Sequence, residues 1–249
     1  MRRSIPVPIH PPDREVILSV PSPWSGRLRD AVLLFIPPAS RDRLPRRLAQ
    51  LLTGLVLFGV SDALMVLAHL GIDPWDVFHQ GLSRHTGIPI GTWSILVGIG
   101  VLFLWIPLRQ RPGIGTLLNV VLVGAVIDLI LGTVAPPHGL VVRSAFLVVG
   151  VFFNGVATGC YIGAGLGPGP RDGLMMGLAA RGHPIRVVRT AIEVTVLGAG
   201  WLLGGNVGVG TLVYALSIGP LAHVFIPRFT LAPSAAGAPV PGDPATTAG

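Results

Sequence analysis

The chain has 249 residues, of which 51% are hydrophobic and only 12% are charged. A soluble domain has about 25% charged residues, so the composition excludes a soluble globular fold and indicates a helical membrane protein with several spans. The net charge is +7 and every basic residue is Arg. Half of the 18 Arg residues precede residue 51, which predicts a basic tail beside the lipid bilayer and no nucleic-acid partner.

The first 48 residues are rich in Arg and Pro. Segments of this composition bury too little apolar surface to fold alone. Residues 1–48 are therefore predicted to form a cytoplasmic tail, with a short surface helix near Leu28–Phe35. The tail lacks the sustained apolar core of a secretory signal peptide, so no cleaved leader is expected.

Six apolar segments follow, each about 20 residues long, which is the length that crosses the hydrocarbon core of a bilayer. They are predicted near residues 49–71, 88–108, 114–134, 143–165, 185–204 and 208–227. Residues 229–249 are of low complexity and are predicted to be disordered. The expected fold class is an all-α polytopic membrane protein with six transmembrane helices.

The Arg residues indicate the orientation of these spans, because cytoplasmic loops of membrane proteins carry an excess of positive charge. With the N-terminus inside, 16 Arg residues lie on the cytoplasmic side and only Arg84 and Arg143 lie outside. Both termini are therefore predicted to be cytoplasmic.

One sequence pattern occurs twice. AHLGIDPWDVFHQGL at 68–82 and AGLGPGPRDGLMMGL at 164–178 share A-x-L-G-x-x-P-x-D-x-x-x-x-G-L. GIGTL at 113–117 is likewise repeated as GVGTL at 208–212. The order and spacing of these motifs indicate that the chain contains two copies of one unit.

The two units are predicted at residues 49–134 and 143–228, with a linker at 135–142. Each unit has three spans, and because that number is odd, the second unit enters the membrane upside down relative to the first. Such inverted-topology repeats are typical of many secondary transporters. The segment after each P-x-D motif is too polar for a full span, so it is predicted to form a short helix that is interfacial or re-entrant.

The doubled L-G-x-x-P-x-D and G-x-G-T-L motifs, together with VVRTAIEVTVLGAGWLLGGNVGVGT at 187–211, resemble the YczE/YyaS/YitT family of bacterial integral membrane proteins. The resemblance covers about residues 50–228 and implies a multi-pass protein of the bacterial inner membrane. Most members have no assigned activity, so the resemblance implies no substrate. Asp62 departs from the family pattern, which leads us to expect an apolar or small residue in that span.

The residues of the P-x-D motifs have two interpretations. Pro74 and Pro170 suit the first turn of a helix, where the missing N–H costs nothing. Asp76 and Asp172 can accept hydrogen bonds from free backbone N–H groups at that end. A capped turn explains the pattern fully. Alternatively, the paired helix ends face a central cavity, where these carboxylates and Arg171 contact a polar or anionic solute.

Ionisable residues within spans are the second group of candidates, because charge in hydrocarbon is costly. Asp62, Asp128 and Glu193 lie within predicted spans. Arg189 precedes Glu193 by four residues, so the two form either an internal ion pair or part of a proton or ion relay. Asp128 alternatively reaches the outer interface. Asn154 either lines a cavity or forms a hydrogen bond between helices.

No catalytic residue, metal site or cofactor is expected. His69, His79 and His85 lie near Asp73 and Asp76, but their spacing matches no strong metal-ligand pattern. The single cysteine excludes an intrachain disulfide and a cysteine-rich metal site. An intramembrane enzyme is not expected either, because no nucleophile–base pair is visible.

The favoured function is a secondary transporter or permease for a small solute, since inverted repeats and interrupted segments are typical of such proteins. The alternative is a membrane-embedded accessory or scaffold protein that binds a partner protein. The small-residue face at Gly155, Gly159 and Gly163 allows close approach of another helix. That helix can belong to the same chain, to a second copy in a homo-oligomer or to a partner membrane protein.

Overall fold

The computed structural model describes residues 43–231, and this part of the chain forms eight α-helices and no β-strand. They are α1 (Leu44–Ala68), α2 (Pro74–Thr86), α3 (Ile90–Leu108), α4 (Ile114–Thr133), α5 (Leu140–Gly163), α6 (Pro170–Ala179), α7 (Ile185–Leu202) and α8 (Val209–Phe229). The all-α class is confirmed for these residues. The predicted surface helix and most of both predicted tails lie outside the described residues.

Five helices are long and apolar enough to cross a membrane: α1, α3, α4, α5 and α8. They coincide with five of the six predicted spans, and the protein is a multi-pass membrane protein. The segment predicted as the remaining span, 185–204, forms α7. Arg186, Arg189 and Glu193 make α7 more polar than the other five helices.

The two short helices predicted after the repeated motifs are α2 and α6, with 13 and 10 residues. At about 1.5 Å per residue, they measure roughly 20 Å and 15 Å, less than the 30 Å of a hydrocarbon core. Pro74 and Pro170 occupy the first turn, as expected. The expected capping by Asp76 is wrong, because Asp73 accepts the N–H groups of Trp75 and Asp76 at 2.8 and 3.2 Å.

α1 and α5 cross closely through glycines at equivalent positions of the two repeats. A Cβ added at Gly54 would lie 2.9 Å from the backbone nitrogen of Tyr161, and one at Gly150 would lie 3.4 Å from that of Met65. Gly150 follows Gly54 by 96 residues, and Tyr161 follows Met65 by the same interval. The contact is therefore reciprocal, and α1 and α5 form the centre of the described bundle, with α4 packed on α1 and α8 packed on α5.

The loops make reciprocal contacts too. The N–H of Gly115 donates to the carbonyl of Leu166 at 2.9 Å, and the N–H of Gly210 donates to that of Leu70 at 2.7 Å. Each G-x-G-T-L turn thus binds the L-G-x-x-P-x-D turn of the other repeat. These hydrogen bonds hold the start of each short helix against the opposite repeat.

Gly71 and Gly167 allow these turns. Their φ angles are +105° and +123°, in the left-handed region where a side chain is strained. A Cβ at these positions would also lie 2.8 Å from the hydroxyl oxygen of Thr211 and 2.9 Å from that of Thr116, respectively. Glycine is therefore required at both positions for two reasons, the backbone conformation and the lack of space for a Cβ atom.

The short helices pack on helices of the opposite repeat as well. Gly200 of α7 lies against Val77 and Phe78 of α2, and Gly173 of α6 lies against the ring of Trp105 of α3. α2 is deeply packed, with most of its first two turns buried. The start of α2 is therefore inside the bundle.

Candidate functional site

A cavity of about 150 Å³ lies where the two short helices begin. A volume of this size accommodates a benzene-sized molecule. Both repeats contribute to its wall, which includes the N-terminal residues of α2 and α6. Its charged and titratable lining residues are Asp73, His79, Tyr161, Arg171, Asp172, Arg189, Glu193 and Tyr214.

Three carboxylates meet beside this cavity. Asp62 of α1, Asp73 before α2 and Asp76 of α2 each place an oxygen within 4.8 Å of the others. Their exposed fractions are 0%, 1% and 0%. Carboxylates are almost never fully buried unless paired, so this group, the acidic cluster, is unusual for its burial.

Arg171 of the second repeat supplies positive charge to the acidic cluster. Its Nη1 lies 3.4 Å from Asp73 Oδ1, and its Nη2 lies 4.0 Å from Asp76 Oδ1. The guanidinium also lies over the ring of Trp75, 5.2 Å from its centroid, where a cation–π contact adds to its stability. Arg171 therefore joins the start of α6 to the start of α2.

Asn154 of α5 links the acidic cluster to the rest of the bundle. Its Nδ2 donates to Asp62 Oδ1 at 2.8 Å and to Ser61 Oγ at 3.1 Å, and the hydroxyl of Tyr214 donates to its Oδ1 at 3.3 Å. Asn154 is fully buried and forms hydrogen bonds between helices, which is one of the two alternatives that the sequence left open. It orients Asp62 and is not among the residues that line the cavity.

Burial controls the protonation of the groups on α2. It raises the pKa of Asp73 to about 7, with the negative charge of Asp76 adding to the shift and Arg171 opposing it. Burial also raises the pKa of Asp76, again against the effect of Arg171. Burial and the charge of Arg171 lower the pKa of His79 to about 3. His79 is therefore neutral at pH 7, and its 3.1 Å contact with Asp76 is a hydrogen bond and not an ion pair.

Five buried side-chain atoms in the described part of the chain have no hydrogen-bond partner, and all belong to this region. They are Asp62 Oδ2, Asp73 Oδ2, Trp75 Nε1, Asp76 Oδ2 and His79 Nε2. Buried polar atoms normally have partners, because an unsatisfied one costs about 1–3 kcal/mol. Their concentration in one place distinguishes this region from the rest of the described interior.

The equivalent region of the second repeat has different chemistry. Asp172 accepts a hydrogen bond from the hydroxyl of Tyr161, and both residues line the cavity. The positions 96 residues after Asp62, Asp73 and His79 are occupied by Thr158, Gly169 and Met175. Of the acidic cluster, only Asp76 has an acidic counterpart, Asp172.

The remaining predicted residues lie at two places. Arg189 Nε lies 3.4 Å from Glu193 Oε1, so the pair predicted along one helix face is formed, and both residues line the cavity. Asp128 is not among the lining residues. Its carboxylate accepts the N–H of Gly91 at 2.6 Å and the hydroxyl of Thr92 at 2.7 Å, which satisfies the start of α3.

Asp73 and Tyr161 are site residues that the sequence patterns did not indicate. One signal could have found Asp73, because aligning the two repeats places it opposite Gly169, where folding evidently does not need a carboxylate. Tyr161 had no such signal, since its partner Asp172 lies across a turn whose path the sequence does not specify.

Comparison with known proteins identifies the family. Residues 45–227 match the family of unknown function DUF6198. The chain is 41% identical to an uncharacterized protein of Haemophilus influenzae over 71% of this chain and 81% of that protein. No solved structure matches.

Two relatives from Bacillus subtilis bear out the resemblance found in the sequence. One, described as the uncharacterized membrane protein YczE, is 39% identical over 70% of this chain and 83% of its own length. The other, the uncharacterized protein YyaS, is 27% identical over 70% of this chain and 89% of its own length. The protein therefore belongs to the DUF6198 family and is a homologue of YczE and YyaS.

Proposed function

We propose that the protein is a secondary transporter or permease that moves a small polar solute across the bacterial inner membrane, and that it is not an enzyme. The observation that carries this proposal is the cavity lined by the N-terminal ends of both short helices. In several transporter folds, discontinuous helices direct such ends at the solute near the middle of the membrane. The charged wall of this cavity suits a polar solute.

The reciprocal contacts between the repeats support the inverted topology. A two-fold relation between similar units makes each contact occur twice with the partners exchanged, as at the α1–α5 crossing and at the two loop contacts. With three crossings per unit, the two-fold axis lies in the membrane plane. We therefore propose that α2 and α6 re-enter the membrane from opposite sides and that their first turns meet at the cavity.

In this arrangement α7 is the sixth crossing and the counterpart of α3. Arg189 and Glu193 make α7 polar, but both residues line the cavity and so need not face lipid. Charged residues in spans are tolerated when they face the interior of the bundle or a water-filled space. The uneven distribution of Arg then supports the proposal that both termini are cytoplasmic.

Cysteine labelling tests this topology directly. In a Cys160→Ala background, we expect Thr86→Cys and Arg181→Cys to react from opposite sides of the membrane, because both residues are exposed near the C-terminal ends of α2 and α6. Reaction of both from the same side would contradict the inverted repeat.

The transport proposal is tested by ligand-induced stabilisation of the purified protein with a panel of small polar metabolites. A bound solute raises the melting temperature, because it binds the folded state alone. We expect at least one compound to do so in the wild type and in Asp128→Asn, a carboxylate variant outside the cavity wall. The same compound should have no effect on Arg171→Gln.

Two results would contradict the transport proposal. One is a panel that leaves the melting temperature unchanged; the other is a solute effect that persists in Arg171→Gln. Absence of any solute response together with co-purification of a membrane protein would favour the alternative, an accessory or scaffold protein.

A further inference from the structure

We propose that Asp62, Asp73 and Asp76 form a binding site for one divalent metal cation of the oxygen-preferring kind, such as Mg²⁺ or Mn²⁺. The site is separate from the transport proposal, because binding can be measured whether or not the protein moves a solute. It also differs from the prediction of no metal site. That prediction is based on the spacing of the histidines near α2, whereas the proposed ligands are three carboxylates that the fold brings together.

The donor atoms are of the right type and close together. Three carboxylates contribute oxygens within 4.8 Å of one another, and carboxylate oxygens are the ligands that Mg²⁺ and Mn²⁺ prefer. The three residues come from α1 and from the first turn of α2, which pack in the bundle interior. The fold therefore preorganises the group.

The hydrogen bonds leave one oxygen of each carboxylate unsatisfied. Asp62 Oδ1 accepts from Asn154, Asp73 Oδ1 accepts from the backbone of α2, and Asp76 Oδ1 contacts His79. The Oδ2 atom of each residue is buried and has no partner. This observation is independent of the clustering, and it indicates that the three Oδ2 atoms are available to coordinate a cation.

The charge balance indicates a divalent cation. The acidic cluster carries three negative charges when ionised, and Arg171 is the one cation that the described structure brings into contact with it, through the Oδ1 atoms of Asp73 and Asp76. With all three carboxylates ionised, Arg171 balances one charge and leaves two in a buried place, where an unneutralised charge is strongly unfavourable. A divalent cation neutralises both, whereas a monovalent one leaves a net charge.

An ion can reach the site from the cavity. Asp73 is one of the residues that line the cavity, and Asp62 and Asp76 each place an oxygen within 4.8 Å of an oxygen of Asp73. The second repeat offers no equivalent group, because Thr158 and Gly169 replace two of the three carboxylates. We therefore expect one ion per chain.

Mn²⁺ titration of the purified full-length protein in detergent, after removal of bound metal with a chelator, tests the proposal. Free Mn²⁺ is followed by electron paramagnetic resonance and protein stability by thermal unfolding. We expect one Mn²⁺ per chain, competition by Mg²⁺ and a rise in melting temperature. Asp62→Asn should weaken Mn²⁺ binding by at least about 10-fold, because even changes in the groups around metal ligands weaken binding 10–100-fold.

Asp128→Asn is the matched control, since it removes a hydrogen-bonded carboxylate that does not line the cavity, and it should keep the wild-type affinity. If Asp62→Asn does not fold, Asp76→Asn provides the same measurement. The proposal is overturned if the folded wild type binds no Mn²⁺. It is equally overturned if the folded ligand variants bind Mn²⁺ as tightly as the wild type, or if protons alone raise stability while Mn²⁺ has no effect.

Discussion

The starts of α2 and α6 share one sequence pattern but differ in what they place at the centre of the protein. Each begins with Pro after a glycine-containing turn, so the glycine and the Pro serve the fold in both repeats, and each has Asp two residues later. The start of α2 contributes Asp73 and Asp76 to the buried acidic cluster, with His79 beside them, whereas the start of α6 contributes Arg171. The shared glycine and Pro build the helix starts, whereas the shared Asp residues and the residues that differ give each start its chemistry.

The contact between Trp75 and Arg171 shows how the two regions depend on each other. These residues occupy equivalent positions in the two motifs, and the guanidinium lies 5.2 Å from the centroid of the indole ring. Equivalent positions of the two motifs therefore contact each other, and one of them carries an aromatic side chain while the other carries a cation. The second repeat therefore supplies the positive charge that contacts the acidic cluster of the first repeat.

The largest expected effect comes from removing Arg171, the cation that the start of α6 contributes. Arg171→Leu leaves three buried carboxylates without a counter-ion from the protein, and loss of one partner of a buried ion pair costs about 3–5 kcal/mol. We expect a large drop in melting temperature in detergent. Adding Asp73→Asn to this variant should recover part of the loss, because the substitutions act on one network.

Arg189→Leu is the control for this prediction. Its side chain is 53% exposed and pairs with Glu193, and such pairs contribute roughly 0–1 kcal/mol. Equal destabilisation by Arg171→Leu and Arg189→Leu would show that the acidic cluster does not need the guanidinium.

A smaller effect is expected from substitutions in the two glycine-containing turns that precede α2 and α6. Gly71→Ala and Gly167→Ala should each destabilise the protein by about 3 kcal/mol, the sum of roughly 1–2 for a left-handed residue and 1–3 for overpacking. Gly87→Ala should cost only the conformational part, because Gly87 has a φ of +74° but no atom within 4 Å of an added Cβ. Thermal unfolding of the three variants measures the difference.

The comparison of repeats also separates what sequence predicts from what it does not. The apolar segments, Pro74, Pro170 and the two turn glycines predict helices and their starts correctly, because these signals are local. The partners of the charged residues are not local. Asp62 meets Asn154, which is 92 residues away, and Asp128 caps a helix whose first residues are 37 positions before it.

α7 shows the same limit for a whole helix. Its residues predict a span by length, but Arg186, Arg189 and Glu193 reduce its apolarity below that of the other five. Whether such a helix faces lipid or a cavity depends on tertiary packing, which periodicity along one segment does not contain. Both Arg189 and Glu193 line the cavity, although the Arg189 side chain is 53% exposed.

Replacing Asp73 by Gly, the residue at the equivalent position before α6, is expected to change metal binding far more than stability. Asp73→Gly gives α2 the capping residue that α6 has in Gly169, and replacing an Asp cap by Gly costs only a few tenths of a kcal/mol. The loss of one buried carboxylate also relieves repulsion within the acidic cluster. We expect a melting temperature near that of the wild type together with loss of Mn²⁺ binding. A large loss of stability would mean that the contact of Asp73 with Arg171 serves mainly to hold the fold together.

The smallest expected effect on stability is at the Arg189–Glu193 pair of α7. Glu193→Gln removes one charge of a partly exposed pair, so its effect on unfolding should stay within about 0.5 kcal/mol. Because Glu193 lines the cavity, the same variant should lose the stabilisation by solute that the wild type shows.

Arg186→Gln provides the control, since Arg186 lies on the same helix, is exposed and is not among the lining residues. If the α7 charges act on the solute, the two variants should unfold alike and respond differently to it. A solute response that survives in Glu193→Gln would show that this pair only adjusts the polarity of α7. The chemistry of the cavity would then come from the starts of α2 and α6 alone.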